Sequence, residues 1–116
     1  MLTGKAKSDF EKWYWNDWLT VSDRDYYEKD EVIQNVWKAE KLFLFPLIIE
    51  WLDSVCFYVE LNRATQGLQF KWWYYTLSDY RGTHLNNHLH NIVKVDNRQQ
   101  ATEKAIIKSN EIYNSQ

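Results

Sequence analysis

The 116-residue chain is long enough for one domain with its own core, and 45% hydrophobic and 26% charged residues are typical of a globular protein. Its formal charge of -2 argues against a general nucleic-acid binder, which needs an excess of Lys and Arg. The single cysteine, Cys56, excludes an internal disulfide and suits a reducing cytoplasm.

The start of the chain is charged throughout and lacks the apolar run of a secretory signal. The longest apolar run, residues 42–49, is interrupted by Pro46 and is far shorter than the ~20 residues that a membrane helix needs. We therefore expect a cytoplasmic protein without a membrane contact.

Residues after Thr3 carry the pattern of an amphipathic helix that ends near Leu19. Thr3 is a typical N-cap residue. An apolar stripe at helical spacing comprises Ala6, Phe10, Trp13, Tyr14 and Trp18. We expect this stripe to face the core.

The following segment, "TVSDRDYYEKD", is polar and predicts a connection. A second helix is predicted from about Asp30 to Leu44, where apolar side chains again recur at helical spacing. Pro46 cannot continue that helix because it lacks an amide hydrogen. It suits the first turn of a short, mostly buried helix that ends near Ser54.

Two strands joined as a hairpin are predicted from the alternation in "VCFYVEL" and "LQFKWWYYTL", with "NRATQG" as the loop. The inward face of the first strand comprises Val55, Phe57, Val59 and Leu61. The opposite face carries Cys56, Tyr58 and Glu60.

Four consecutive aromatic residues in "KWWYYTL" are the unusual feature of the second strand. Successive strand side chains point to opposite faces, so two rings belong to each face. The parity of Leu68 and Phe70 predicts that Trp72 and Tyr74 face the core. The other face, with the turn that follows, is a candidate partner-binding surface made of Tyr58, Lys71, Trp73, Tyr75, Tyr80 and Arg81.

The rest of the chain predicts a turn at "SDYRG", a short third strand at "IVKV" and a final helix. Asp96 or Asn97 would cap that helix, which ends near Tyr113. The predicted fold class is α+β in a single domain, residues 1–116. Helices come first, then a small antiparallel hairpin or three-stranded sheet, then a C-terminal helix.

Side chains that could carry catalysis are few. Three glycines leave no phosphate-binding loop, and the lone cysteine lies in a strand, where it is typically a small core residue. His84, His88 and His90 cannot all share one face of a helix or strand, and no further ligand completes a metal set. Glu50 and Asp53 have a spacing typical of a solvated helix face. We predict no enzyme activity, no cofactor and no metal.

The aromatic face of the hairpin has three interpretations. Rings on a sheet can stack unpaired RNA bases. They can also anchor a protein partner or close a homodimer. The third interpretation is that the Trp-rich first helix covers this face as a second core layer.

Three segments resemble a group of small proteins encoded by phages and prophages of Bacteroidetes and flavobacteria. They are "LTGKAKSDFEKWY" (residues 2–14), "IIEWLDSV" (residues 48–55) and "NRQQATEKAIIKSNEIYN" (residues 97–114). The group has no catalytic motif to carry over. Small acidic proteins from such elements are often inhibitors of host defence, and flavobacterial hosts often carry type VI-B CRISPR systems with an RNA-guided RNase. The resemblance therefore implies an anti-CRISPR protein that binds this effector, alone or with its guide RNA.

Residues 17–31 supply a carboxylate-rich segment that suits such a partner, because negative surface can meet a positive RNA groove. The final helix also resembles the closing helix of double-stranded-RNA-binding domains, but of the basic residues expected at its start only Arg98 is present. The function predicted is thus a phage-encoded, non-enzymatic inhibitor. The alternatives are a small RNA-binding module and a self-associating structural phage protein.

Overall fold

The computed structural model describes residues 1–66, 69–83, 85 and 97–116, with backbone alone for residues 64–66 and 69–71. The described part contains five α-helices and a two-stranded antiparallel sheet, which confirms the α+β class. The helices are α1 (Gly4–Trp13), α2 (Val21–Tyr26), α3 (Lys29–Trp37), α4 (Lys41–Ser54) and α5 (Arg98–Asn114). The strands are β1 (Tyr58–Gln66) and β2 (Gln69–Ser78). The predicted third strand, residues 92–95, lies outside the described residues.

The predicted first helix is confirmed, although its last turn is π-helical, over Tyr14–Trp18. The buried members of its stripe are Ala6, Phe10 and Tyr14. Trp18 is 39% exposed, so its assignment to the core is wrong. The wider i→i+5 turn carries Trp18 off the stripe, and its ring stacks on Tyr14 with centroids 5.2 Å apart.

The segment predicted as a connection contains a short helix, α2, so that prediction is wrong. The hydroxyl of Thr20 accepts a hydrogen bond from the Asp23 amide at 3.2 Å and donates to the Asp23 carboxylate at 2.9 Å. This reciprocal contact is a helix-capping arrangement. Helix α2 itself buries none of its residues.

A continuous second helix is also wrong, because α3 ends at Trp37 and a new helix starts at Lys41. Glu40 between them is extended, with φ and ψ of -63° and 153°. Pro46 therefore lies inside α4, where it removes one helical hydrogen bond. Burial of its neighbours offsets this cost, since packing supplies most helix stability in proteins. Those neighbours are Leu44, Phe45, Leu47 and Ile48. The predicted end at Ser54 is confirmed.

The core is rich in aromatic rings centred on Phe10 of α1, which is 0% exposed. Its ring centroid lies 5.2 Å from that of Trp37 and 5.9 Å from that of Trp51. Trp51 in turn meets Tyr113 of α5 at 5.2 Å, edge to face. Such pairs each contribute roughly 0.5–1.5 kcal/mol beyond the area they bury. Part of the tryptophan and tyrosine of this chain is thus internal, with Tyr14, Trp51 and Tyr75 buried.

Two asparagines of α5 hold the start of α1. The Asn114 side chain accepts a hydrogen bond from the Ala6 amide at 2.7 Å and donates to the Thr3 carbonyl at 2.9 Å. The Asn110 side chain accepts from the Thr3 amide at 2.9 Å. Gly4 suits this junction because its φ is +56°, a left-handed conformation that residues with a Cβ rarely adopt. The N-terminus of α1 is therefore capped by the C-terminal helix.

A polar triad adds to the contact between α1 and α5. The Tyr113 hydroxyl donates to the Asp9 carboxylate at 2.6 Å, and the Lys5 ammonium donates to the same oxygen at 2.7 Å. These two hydrogen bonds, that from Lys5 first, lower the pKa of Asp9. Burial and then the hydrogen bond to Asp9 raise the pKa of Tyr113.

The predicted hairpin is confirmed with different boundaries. β1 begins at Tyr58 and not at Val55, because Val55 caps α4 and Cys56 turns the chain with a φ of 65°. Most of the segment predicted as the loop belongs to β1, which continues to Gln66.

Candidate functional site

The faces of β2 are the reverse of those predicted. Tyr75 is 3% exposed and Leu77 is 0% exposed, and both pack against Ala105 of α5. Burial, and then the negative charge of Glu111, raise the pKa of Tyr75. The prediction that Tyr75 lies on an open face is therefore wrong, and the C-terminal helix covers it.

An extra residue in β2 explains the reversal. Ala64 of β1 pairs with Trp72. The next residue of β1 pairs with Phe70, which leaves Lys71 without a partner residue across the sheet. Such a bulge interrupts the alternation of faces, so the parity of Phe70 does not extend beyond Lys71. The side chain of Lys71 lies outside the described part of the structure.

The other residues of the predicted surface are not brought together on one face. Trp73 shares the face of the buried tyrosine, and the guanidinium of Arg63 lies 5.8 Å from its ring centroid. Tyr58 lies on the opposite face and is 40% exposed. Tyr80 and Arg81 lie in the turn after β2, with the guanidinium 5.3 Å from the ring centroid. Partner binding by these residues stays a prediction.

The acidic pair considered for acid–base chemistry is exposed on α4, in agreement with a solvated helix face. Partial burial, and then the charge of Glu50, raise the pKa of Asp53. The three histidines lie outside the described residues. Among the residues that are described, no three His, Cys, Asp or Glu side chains cluster as metal ligands would.

An acidic surface is concentrated in residues 17–31. This segment has six carboxylates and two basic side chains, a net charge of -4, whereas the whole chain has -2. The remainder of the chain is therefore slightly positive. The charge imbalance makes this segment the candidate functional site, and we call it the acidic-aromatic surface.

Large side chains are exposed among these charges. Tyr26 is 84% exposed and Tyr27 is 57% exposed, and their rings meet edge to face with centroids 5.3 Å apart. Val21 is 63% exposed at the other end of α2. Exposed tyrosines are typical of anchors for a binding partner. Sequence analysis found the charges but missed these tyrosines, whose signal was an aromatic pair outside any apolar stripe.

Some carboxylates of the surface stabilise the helices that carry them. Asp23 takes part in the cap of α2, and Asp30 and Glu31 lie in the first turn of α3, where the helix dipole favours negative charge. Glu28 is the N-cap residue of α3, but its side chain makes no capping hydrogen bond, and neither Asp25 nor Glu28 forms an ion pair with another described residue. These two carboxylates are therefore available to a partner.

Helix α2 is loosely attached to the rest of the molecule. An open pocket of about 350 Å³ lies beside Asp23 of this helix, lined by residues that include Leu19, Tyr27 and Val36. The Nε atom of Arg24 is buried without a hydrogen-bond partner in the described part of the chain. An unsatisfied buried donor costs roughly 1–3 kcal/mol, so α2 contributes little to the stability of the fold.

No family model, curated protein or solved structure matches this chain. Among the described residues, no helix combines the length and the apolar character needed to cross a membrane. The chemistry of the exposed side chains is thus the basis on which a function is proposed.

Proposed function

We propose that this chain is a stoichiometric, non-enzymatic inhibitor that binds a basic host protein through its acidic-aromatic surface. One observation carries the proposal. Residues 17–31 combine a net charge of -4 with two exposed tyrosines on and beside a helix that buries nothing. Neither property serves the core of this fold.

The two kinds of side chain have complementary roles in binding. Carboxylates steer a positive partner toward the surface and raise the association rate. Tyrosines supply contact area at a low cost in conformational entropy, because each has only two side-chain torsions to fix. Tyr26 and Tyr27 would act as the anchors, with Asp25 and Glu28 beside them.

The proposed partner is an RNA-guided RNase of the type VI-B class. A protein that holds guide and target RNA needs a positive groove, which fits the charge of this surface. Three segments of the chain resemble phage and prophage proteins of flavobacterial hosts, and these hosts often carry that effector. The inhibitor would act in the host cytoplasm as an anti-CRISPR protein.

The RNA-binding and self-association alternatives both depended on an open aromatic face of the hairpin. Tyr75 is 3% exposed beneath α5, so the set of residues that both alternatives required is not formed. The acidic-aromatic surface would repel RNA phosphates. We therefore carry neither alternative forward.

Co-purification tests the proposal directly. Tagged chain is mixed with a purified type VI-B effector from a flavobacterial host, with and without guide RNA, and complexes are separated by size. Cleavage of a target RNA is then followed as the chain is added. We expect a stable complex and complete inhibition near one chain per effector.

Two variants locate the contact. Tyr26→Ser with Tyr27→Ser removes the anchors, and Asp25→Lys with Glu28→Lys reverses the free charges. Each should weaken inhibition at least tenfold, since anchor residues commonly contribute about 2 kcal/mol or more. Ile107→Ser, and the double variant Glu50→Lys with Asp53→Lys, are matched controls at exposed positions elsewhere and should inhibit like the unaltered chain. Absence of a complex, or full inhibition by both surface variants, would disprove the proposal.

A further inference from the structure

A groove of about 820 Å³ lies between α4, β1 and the start of α5. Its apolar wall consists of Leu42, Phe45, Pro46, Ile49, Val59 and Leu61. Polar residues of the lining include Lys41 on α4 and Arg98 and Gln99 on α5. Volume and lining are both in the range of sites that bind ligands. None of these residues belongs to the acidic-aromatic surface.

The groove follows the edge of β1 that has no described strand beside it. Three consecutive strand residues, Val59, Glu60 and Leu61, line it, although Glu60 belongs to the opposite face of the sheet. Side chains of consecutive strand residues point to opposite faces of a sheet. A groove lined by three consecutive residues therefore runs along the edge of the strand, where backbone groups are exposed. Within the described chain, β1 pairs with β2 alone. Leu85, which follows the turn after β2, lies beside β2, where its amide donates to the Leu77 carbonyl at 2.8 Å.

The opposite wall of the groove also presents a backbone acceptor. Pro46 has no amide hydrogen, so the carbonyl of Leu42 lacks its usual helical donor. Both residues line the groove, and the Leu42 side chain is 80% exposed. An apolar side chain and an acceptor are therefore available side by side.

The charged side chains that line the groove are the cations Lys41 and Arg98 and the carboxylate Glu60. α5 has no acidic residue in its first turn. The Asn97 side chain caps the Gln100 amide at 2.9 Å, whereas the amides of Arg98 and Gln99 donate to no described residue. The Arg98 guanidinium forms no ion pair with the described residues, while Lys41 is held 3.5 Å from Glu103. The end of the groove at Arg98 suits a carboxylate, because charged and backbone donors converge there.

We propose that the groove binds the C-terminal tail of another protein, added as a strand to the edge of β1 with its carboxylate at Arg98. Backbone hydrogen bonds to β1 would supply affinity, and the apolar wall would select the side chains of the last residues. The wall from Lys41 to Ile49 is about 12 Å long, which accommodates three to four extended residues at about 3.3 Å each. Charge complementarity favours a free carboxyl terminus as the occupant.

Selection from a peptide library tests this site. Random octapeptides displayed with free carboxyl termini are selected against the full chain, and the best binder is labelled at its amino terminus for fluorescence anisotropy. We expect apolar residues before the terminus. Amidation of the carboxylate should weaken binding at least tenfold, and N-methylation of alternate peptide nitrogens should abolish it by blocking strand pairing.

Variants of the chain complete the test. Arg98→Gln should weaken binding at least tenfold, because the peptide carboxylate loses its charged hydrogen-bond donor. Lys104→Gln, an exposed cation on the same helix, is the matched control. Leu42→Asp should abolish binding, whereas Val21→Asp, at another exposed apolar position, should not.

Three results would overturn the proposal. One is a selection that yields no peptide with an affinity better than about 1 mM. Another is a binder that amidation and Arg98→Gln leave unchanged. The third is a dimer of the chain itself that Leu42→Asp dissociates, because the occupant would then be a second copy. Tyr26→Ser with Tyr27→Ser should leave peptide binding intact, which separates this site from the proposed inhibitory surface.

Discussion

The terminal helices and helix α2 differ in how much their side chains contribute to contacts inside the molecule. At the ends, two asparagines of α5 bond to the backbone before and within α1, and Phe10 is 0% exposed among aromatic rings. Helix α2 buries none of its residues, and a buried nitrogen of Arg24 has no described partner. Stability thus resides in the contact of the terminal helices, while α2 contributes exposed surface.

That contrast distinguishes the residues that stabilise the fold from the residues that are exposed for binding. Substitutions between α1 and α5 should unfold the protein, whereas substitutions on α2 should change only what it binds. Four experiments test the contrast, in order of decreasing effect on stability.

Phe10→Ala should have the largest effect. Truncating a fully buried ring leaves a cavity and typically lowers the free energy of unfolding by about 3–5 kcal/mol. Urea denaturation followed by tryptophan fluorescence measures the loss. Tyr80→Ala, at a 70% exposed ring, is the control and should change stability little. A loss below 1 kcal/mol for Phe10→Ala would contradict the aromatic core described above.

Asn114→Ala should lower the free energy of unfolding by about 1–3 kcal/mol, because the buried amide of Ala6 loses its acceptor. The same urea titration measures it. Asn62→Ala is the comparison, since the Asn62 side chain makes one long contact of 3.4 Å with the Glu60 carbonyl. Equal losses of unfolding free energy for the two variants would show that the contacts of Asn114 with the start of α1 stabilise the fold no more than the contact of Asn62 does.

The triad of Lys5, Asp9 and Tyr113 predicts a smaller, pH-dependent effect. The pKa of Asp9 is lowered in the folded protein, so its contribution is fully present above the unfolded value of 3.8 and is lost as pH falls through the folded pKa. Asp9→Asn should therefore flatten the loss of stability below about pH 4. In Tyr113→Phe, NMR titration should show a raised Asp9 pKa. Tyr80→Phe should not change the Asp9 pKa. An equal shift of the Asp9 pKa in that variant would contradict the assignment of Tyr113 as a hydrogen-bond donor to Asp9.

The double variant Tyr26→Ser with Tyr27→Ser should change the free energy of unfolding by less than about 0.5 kcal/mol, as is usual for exposed positions. The same protein should lose inhibition of the effector. Parallel urea and inhibition measurements separate the two effects. A variant that lost stability as well would mean that α2 belongs to the cooperative fold.

The sequence predicted the helical ends and the hairpin because their patterns are local. Asn97 as the cap of the last helix is confirmed by its 2.9 Å bond to the Gln100 amide. The break between α3 and α4 was missed because Pro46 was taken as the start of a helix, whereas burial around it allowed a proline at an interior position. The packing of α4 thus outweighed the local preference of proline for the first turn of a helix.

The candidate site was harder to predict than the fold. Lys71 shifts the pairing by one residue, so the count from Phe70 assigned Tyr75 to the wrong face. Leu77 has the same parity as Tyr75, which was a signal that both faces of β2 carry apolar side chains. The contacts of Asn110 and Asn114 were not predictable, because hydrogen bonds between residues more than 100 positions apart produce no periodic pattern in the sequence.

The hydrogen bonds of Asn110 and Asn114 to the start of α1 also have a consequence for how the protein folds during synthesis. The amide of Ala6 receives its acceptor from a residue 108 positions later. A nascent chain therefore has the start of its first helix uncapped until Asn114 has emerged from the ribosome. Contacts at such sequence separation form late, so the fold should close only after helix α5 has been synthesised.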